Sequence, residues 1–159
     1  MDRETQAGIP VLLVEDNEID VEITRRVLAK AGAAVIVDVA RDGSEALDLL
    51  FSRREEPPEA GDRRLPKLVL LDLRLPSVGG LEVLRRIKND PVLCAIPVAV
   101  LTGSVGERPM LESMERGGNM YFVKPMTVKD VENLLPAVEQ YWAVIERLQG
   151  KRAQGAAGP

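Results

Sequence analysis

The chain contains no histidine and a single cysteine, Cys94. That excludes histidine general bases, His-ligated zinc or haem, disulfides and cysteine-cluster metal sites. Aromatic residues are scarce, with two Phe, two Tyr and one Trp in 159 residues, too few for a platform on which nucleobases stack. A basic surplus is also missing: 21 Lys and Arg stand against 25 Asp and Glu, a net charge of -4, the opposite of what a nucleic-acid surface needs. No apolar run approaches the roughly 18–20 residues that span a bilayer, and the start, MDRETQAGIP, is no signal peptide. The expected setting is therefore cytoplasmic, where a lone thiol stays reduced, with neither nucleic acid nor membrane as partner. Chemistry is left to carboxylates, hydroxyls, lysines and the backbone, and any metal should be a hard, oxygen-seeking cation.

What remains is 45% hydrophobic and 29% charged, the composition of one ordinary globular domain. A flexible leader (1–10) precedes a domain expected over 11–149, followed by a small, polar tail (150–159) expected to be disordered. Val11 to Val14 is an apolar run of strand length. Asn17 then caps a helix, with Asp20 in the capping-box position and Ile19, Ile23 and Val27 at helical spacing until Gly32. Ala34 to Val39 reads as a second strand, and Gly43-Ser44 opens a helix burying Ala46, Leu47, Leu50 and Phe51. Residues 52–67, with three prolines and a glycine, form a loop long for a compact domain, either functional or a tolerated insertion. Leu68 to Leu71 is a third strand ending at Asp72, followed by a helix with Val83, Leu84 and Ile87 inward. Pro97 to Leu101 is a fourth strand ending at Thr102. Pro109 and Gly117-Gly118 bracket a short helix carrying Met110 and Met114. Tyr121 to Val123 is a fifth strand ending at Lys124-Pro125, and Thr127 caps a last helix to about Leu148. Strands apolar on both faces, alternating with helices, predict an α/β, doubly wound, five-stranded parallel sheet.

In such sheets the ligand sits beyond the carboxyl ends of the strands. Those ends carry Glu15 and Asp16, Asp72, Thr102 and Lys124. A nucleotide site would place glycines after the first strand, but that turn is Glu15-Asp16-Asn17-Glu18, which repels phosphate and attracts a cation. Carboxylates with few neutral ligands fit Mg²⁺, with Mn²⁺ as the alternative. Beside such an ion Asp72 can attack phosphorus as a nucleophile, Lys124 can neutralise the transferring group, and the Thr102 hydroxyl can bond a phosphoryl oxygen. Taken singly, Asp16 or Asn17 is as readily a helix cap, Thr102 a strand-end hydroxyl and Tyr121 a packing residue.

The segments VEDN (14–17), LLDLRLP (70–76), LTG (101–103) and YFVKP (121–125), in order and each closing its strand, resemble the receiver domain of two-component response regulators. The resemblance implies the flavodoxin-like, CheY-like sheet of order 2-1-3-4-5. It implies Mg²⁺ at Asp16, Asp72 and the backbone carbonyl of Arg74, with Glu15 holding the metal through water. It further implies phosphorylation of Asp72 by a sensor histidine kinase or phosphotransfer protein, and a cis peptide at Lys124-Pro125. Thr102 and Tyr121 are the implied switch pair, biasing the surface of helix four, strand five and helix five. Such a protein is not an enzyme, beyond catalysing its own phosphotransfer and dephosphorylation. Arg74 occupies the position that tunes dephosphorylation, and a bulky cation there is expected to slow the attacking water.

The last helix is expected to overrun the sheet. Val131, Leu134, Val138, Tyr141, Ile145 and Leu148 repeat along it, Leu135 and Trp142 widen the stripe, and Pro136 interrupts the hydrogen-bond ladder. The extended helix, the 52–67 loop and the lack of a second apolar rhythm resemble the stand-alone response regulators paired with bacterial phytochromes. Val138, Tyr141, Trp142, Ile145 and Leu148 are then expected in a homodimer interface, the alternative being a helix folded back on its own domain. Three competing readings are a phosphorylation-independent adaptor, an aspartyl-phosphate phosphatase and a flavodoxin-like electron carrier. Arg74 cannot serve as the phosphatase's general acid, and the acidic first turn disfavours FMN.

Overall fold

The computed structural model describes residues 8–55, 64–103 and 120–157, with the backbone alone from 151 on. The leader before residue 8, most of the 52–67 loop, and the expected helix carrying Met110 and Met114 lie outside the described residues. The elements are β1 (Ile9–Val14), α1 (Glu18–Lys30), β2 (Val35–Ala40), α2 (Gly43–Arg53), β3 (Leu68–Asp72), α3 (Gly80–Asn89), a 3₁₀ turn (Leu93–Ala95), β4 (Val98–Thr102), β5 (Met120–Val123) and the C-terminal helix (Val128–Ala157). All strand pairs are parallel, in the order β2-β1-β3-β4-β5, as expected.

The two-residue period of the strands divides the core. Leu12, Val14, Val69, Leu71, Val98 and Val100 face α2 and α3, meeting Ala46, Leu47, Leu50, Val83, Leu84 and Ile87. The alternate residues Val11, Leu13, Leu68, Leu70, Ala99 and Leu101 face α1 and the C-terminal helix, meeting Val21, Leu28, Val131, Leu134, Leu135 and Val138. Every residue of β3 and β4 is buried. These strands therefore read as unbroken apolar runs rather than alternating ones.

Four expectations need correction. β1 begins at Ile9, so Pro10 lies in the strand rather than in the leader: its carbonyl accepts from Lys67 N at 2.8 Å, and its missing donor matters little at the strand's first turn of ladder. In α1 the buried residues are Val21, Thr24 and Leu28, while Ile19 and Ile23 are 70% and 36% exposed. This helix carries apolar residues on two faces, and contact with β1 and the C-terminal helix selects one. The C-terminal helix continues past Leu148 and Gly150 to Ala157 in place of a disordered tail. Lys151, Arg152, Ala153, Gln154, Ala156 and Ala157 are good helix formers, and a helical glycine costs only about 1 kcal/mol.

The fourth correction concerns the section of that helix beyond the sheet. Val138, expected at a subunit interface, is 2% exposed in the chain's own core. Trp142 packs against both core clusters, and its Nε1 donates to the Lys67 carbonyl at 2.8 Å. The Tyr141 hydroxyl donates to the Ala95 carbonyl, although its ring stays partly exposed. An amphipathic ring with a donor tip finds its nearest acceptors at the carbonyls leading into β3 and β4. This part of the helix thus folds back on its own domain, and Pro136 sits on its exposed side.

α1 ends in a Schellman motif: Ala33 N donates to Leu28 O and Gly32 N to Ala29 O, with Gly32 at φ 68, where a side chain would be strained. Its start is capped by Asn17, whose side chain accepts from Ile19 N and Asp20 N at 2.9 and 3.1 Å.

Candidate functional site

The parallel register brings the carboxyl ends of β1, β3, β4 and β5 to one edge. Leu71 lies beside Val14 and Asp72 beside Leu101, so Asp72 falls next to the turn that holds Glu15 and Asp16. Thr102 pairs with Val123, and Lys124 N donates to Thr102 O at 2.7 Å, which carries Lys124 back toward the centre of the sheet. Lys124-Pro125 is cis, as the resemblance implied.

Lys124 Nζ lies 2.7 Å from Glu15 Oε1, 3.0 Å from Asp72 Oδ2 and 3.1 Å from Asp20 Oδ2. Glu15, Asp72 and Thr102 are buried at 1%, 4% and 1% exposure, while Asp16 is exposed. Carboxylate oxygens of Glu15, Asp16 and Asp72 all lie within 4.8 Å of one another, a spacing and donor set that fit a six-coordinate divalent cation. The remaining oxygens are held by backbone donors: Asp72 Oδ1 accepts from Arg74 N at 3.0 Å and Glu15 Oε2 from Asn17 N at 3.2 Å.

Burial, opposed by the bond from Lys124 and reinforced by neighbouring Asp72, pushes the Glu15 carboxyl up to about 7. Lys124 is partly buried, which lowers its pKa, but its bonds to Glu15 and Asp72 outweigh that and hold it above the ordinary lysine range. One ammonium leaves the surrounding carboxylates with a negative surplus, and a bound divalent cation would remove it.

Above the cluster opens a cavity of about 360 Å³ lined by Asp20, Ile23, Asp72, Arg74, Gly103, Lys124 and Pro125. A larger one, about 470 Å³, lies between Ile9, Gly32 and Pro136 at the other end of the sheet, away from the carboxylates. Tyr121 is partly exposed on edge strand β5. The structure thus gathers Glu15, Asp16, Asp72, Arg74, Thr102 and Lys124 at one edge, whereas Val138, Tyr141, Trp142, Ile145 and Leu148 lie along a separate helix.

Two residues at the site were not singled out for it by sequence. Asp20 reads as half of a capping box, yet its carboxylate turns to Lys124; its place in the first turn of the helix that follows Glu15 and Asp16 was the available signal. Gly80 reads as turn punctuation, yet a Cβ there would lie 2.4 Å from Asp72 O and 2.6 Å from Leu73 Cα. Only a glycine lets α3 start this close to the backbone of Asp72.

Comparison with known proteins agrees with this geometry. Residues 11–136 match the response regulator receiver domain family. The chain is 38% identical over 140 residues to the probable methanogenesis regulatory protein FilR2 of Methanothrix harundinacea, covering 88% of this chain and 87% of the relative. It is 36% identical over 132 residues to response regulator Rcp1 of Synechocystis sp., covering 83% and 87%, and it is similar to the Mn²⁺-bound form of Rcp1, with a TM-score of 0.63 and 35% identity over 84% of this chain and 93% of that one. Similarity to the bacteriophytochrome response regulator AtBRR is 41% in sequence with a TM-score of 0.68, over 84% and 91% of the two chains. The chain belongs to the response regulator receiver domain family and is homologous to phytochrome response regulators.

Proposed function

We propose that this protein accepts a phosphoryl group on Asp72 from a sensor histidine kinase, or from a phosphotransfer protein, of the bacteriophytochrome type, and works as a phosphorylation-controlled signalling switch. The observation that carries this reading is the Lys124 ammonium bonded to both Asp72 and Glu15 beside three carboxylates spaced for a divalent cation.

Asp16, Asp72 and the Arg74 carbonyl would hold Mg²⁺ or Mn²⁺, with Glu15 reaching it through water; when bound, the ion supplies positive charge to the transferring phosphoryl oxygens. A carboxylate oxygen of Asp72 attacks phosphorus. The O–P bond forms as the P–N bond to the donor imidazole breaks, its electron pair staying on that nitrogen. Lys124 neutralises the acyl phosphate, and the Thr102 hydroxyl bonds one of its oxygens and with Tyr121 shifts the β4–β5 side of the domain. The histidine absent from this chain is supplied by the donor. Ile23, which lines the cavity, and Ile19, exposed on the same helix, give an apolar surface on which the donor protein lands. The reaction belongs in the cytoplasm, with the kinase's catalytic portion; none of the described helices is long and apolar enough to cross a membrane.

We also propose a homodimer through the outer face of the C-terminal helix. Val144 and Leu148 are 45% and 53% exposed there, with Ile145 partly so; Tyr141 and Trp142 border this face from their own domain.

The deciding experiment is incubation with Mg²⁺ and acetyl phosphate. An acid-stable, base-labile adduct should form on the wild-type chain and not on Asp72→Asn. No adduct on the wild type leaves a phosphorylation-independent adaptor.

A further inference from the structure

Asp20 occupies the third position of α1, where a capping box would turn its carboxylate back to the backbone N–H of Asn17. That N–H is instead taken by Glu15 Oε2, and Asp20 Oδ2 lies 3.1 Å from Lys124 Nζ. A lysine ammonium has three N–H donors. Glu15, Asp72 and Asp20 account for all three. Of these partners, Glu15 and Asp72 belong to the cluster spaced for a divalent cation, and Asp20 does not.

We propose that Asp20 is a positioning residue that anchors Lys124 while Glu15 and Asp72 are engaged elsewhere. This rests on the phosphoacceptor reading of Asp72 and adds a role to it. Glu15 and Asp72 would turn oxygens toward a cation held at the cluster, whose charge would also repel the Lys124 ammonium at short range. Phosphorylation of Asp72 would convert its carboxylate into the neutral carbonyl of an acyl phosphate, and an ion pair would become a hydrogen bond from the ammonium to an uncharged acceptor. Of the three described partners, Asp20 alone would keep its full charge directed at Lys124 through both changes. The donors that Glu15 and Asp72 release become available to phosphoryl oxygens, while the one on Asp20 stays tied.

Asp20 is placed for this work. Its backbone N–H donates to Asn17 Oδ1 at 3.1 Å, which fixes the first turn of α1 against the site. Its side chain is 34% exposed and lines the cavity wall. The anchor therefore stands at the rim and leaves the approach to Asp72 open.

The test uses the full chain with Asp20→Ala, Asp20→Asn and, as a control for bulk charge, Glu18→Gln. Glu18 lies in the same turn but pairs with Arg41 at 2.7 Å. The readouts are the rate of phosphorylation by acetyl phosphate at saturating Mg²⁺ and the ¹H–¹⁵N signal of the Lys124 ammonium with Mg²⁺ present. Asp20→Ala should slow phosphorylation about tenfold, the value of one charge-assisted hydrogen bond, and lose the ammonium signal, while its thermal midpoint stays near wild type. Asp20→Asn, which keeps an acceptor, should recover part of both, and Glu18→Gln should match wild type. An Asp20→Ala chain phosphorylated at or above the wild-type rate overturns the proposal, as does equal slowing by Glu18→Gln. Failure of the wild type itself to take up phosphate overturns the phosphoacceptor reading, and this proposal with it.

Discussion

The ammonium of Lys124 sits 3.0 Å from the carboxylate of Asp72, across 52 positions of chain. The two residues end strands that do not pair, with β4 between them. The bond from the Lys124 N–H to the Thr102 carbonyl holds Lys124 beside the end of β4. Ammonium and carboxylate are thus held together by the fold, and the proposed transfer to Asp72 would need little reorganisation.

Replacing Lys124 with Met should leave Glu15 and Asp72 buried without a counter-ion. A stability loss of about 1–3 kcal/mol is expected in metal-free buffer, since the pair is only partly screened by water. Mg²⁺ should restore more stability to this variant than to wild type, because the ammonium and the cation serve the same carboxylates. Thermal melts with and without Mg²⁺ measure both effects, and an equal Mg²⁺ response in the two proteins would argue against a shared site.

Arg74 follows Asp72 by two positions and lines the same cavity. Truncation to Ala should open a path for water to the acyl phosphate and shorten its lifetime several-fold. Decay of the adduct after removal of acetyl phosphate gives the rate directly; an unchanged lifetime would show that Arg74 does not shield it.

Gly79 and Gly80 are neighbours with opposite tolerance. A Cβ on Gly80 meets backbone atoms of Asp72 and Leu73, whereas one on Gly79 meets nothing within 4 Å. Gly80→Ala should cost about 1–3 kcal/mol by overpacking and weaken phosphorylation by shifting Asp72. Gly79→Ala, at a helix N-cap with no side-chain cap bond, should cost less than about 1 kcal/mol. Urea midpoints of the two variants should differ accordingly.

Asp90 closes α3 and starts the turn that follows it. Burial would raise its pKa, but donation from the N–H groups of Leu93 and Val92 and from Arg54 lowers it below the usual aspartate value. A depressed carboxyl contributes stability that is present above its unfolded pKa and is lost as pH falls through the folded one. Asp90→Ala should therefore cost about 1–2 kcal/mol at pH 7, with the gap from wild type narrowing below about pH 4. Denaturant midpoints at neutral and acid pH test the sign.

Leu148→Glu and Val144→Glu place charge on the exposed outer face of the C-terminal helix. Neither residue is part of the described core, so folding should survive. A shift to monomer in sedimentation at micromolar concentration is expected if this face joins two copies; a sedimentation coefficient identical to wild type would count against the dimer.

The primary sequence was enough to order the strands along the chain and to put Asp72, Thr102 and Lys124 at strand ends that share one edge. Fully buried parallel strands announce themselves as apolar runs, and in a doubly wound sheet their last residues share one edge whatever the loops do. Hydrophobic period alone could not decide between two faces of one helix. Ile19 and Ile23 fit the helical spacing as well as Val21 and Leu28 do, and only packing against β1 and the C-terminal helix buries the second set. The same limit applied to Val138 and Trp142, whose apolar stripe is equally suited to a partner or to the chain's own core. The carbonyl of Lys67 and the sheet face beside it settled the matter, and neither is visible in a helical repeat. Asp20 shows the limit most sharply. A local rule assigns its carboxylate to the helix that carries it, but an ammonium 104 positions away offers a full charge where the backbone offers a dipole, and the stronger partner comes within reach only once the sheet has formed.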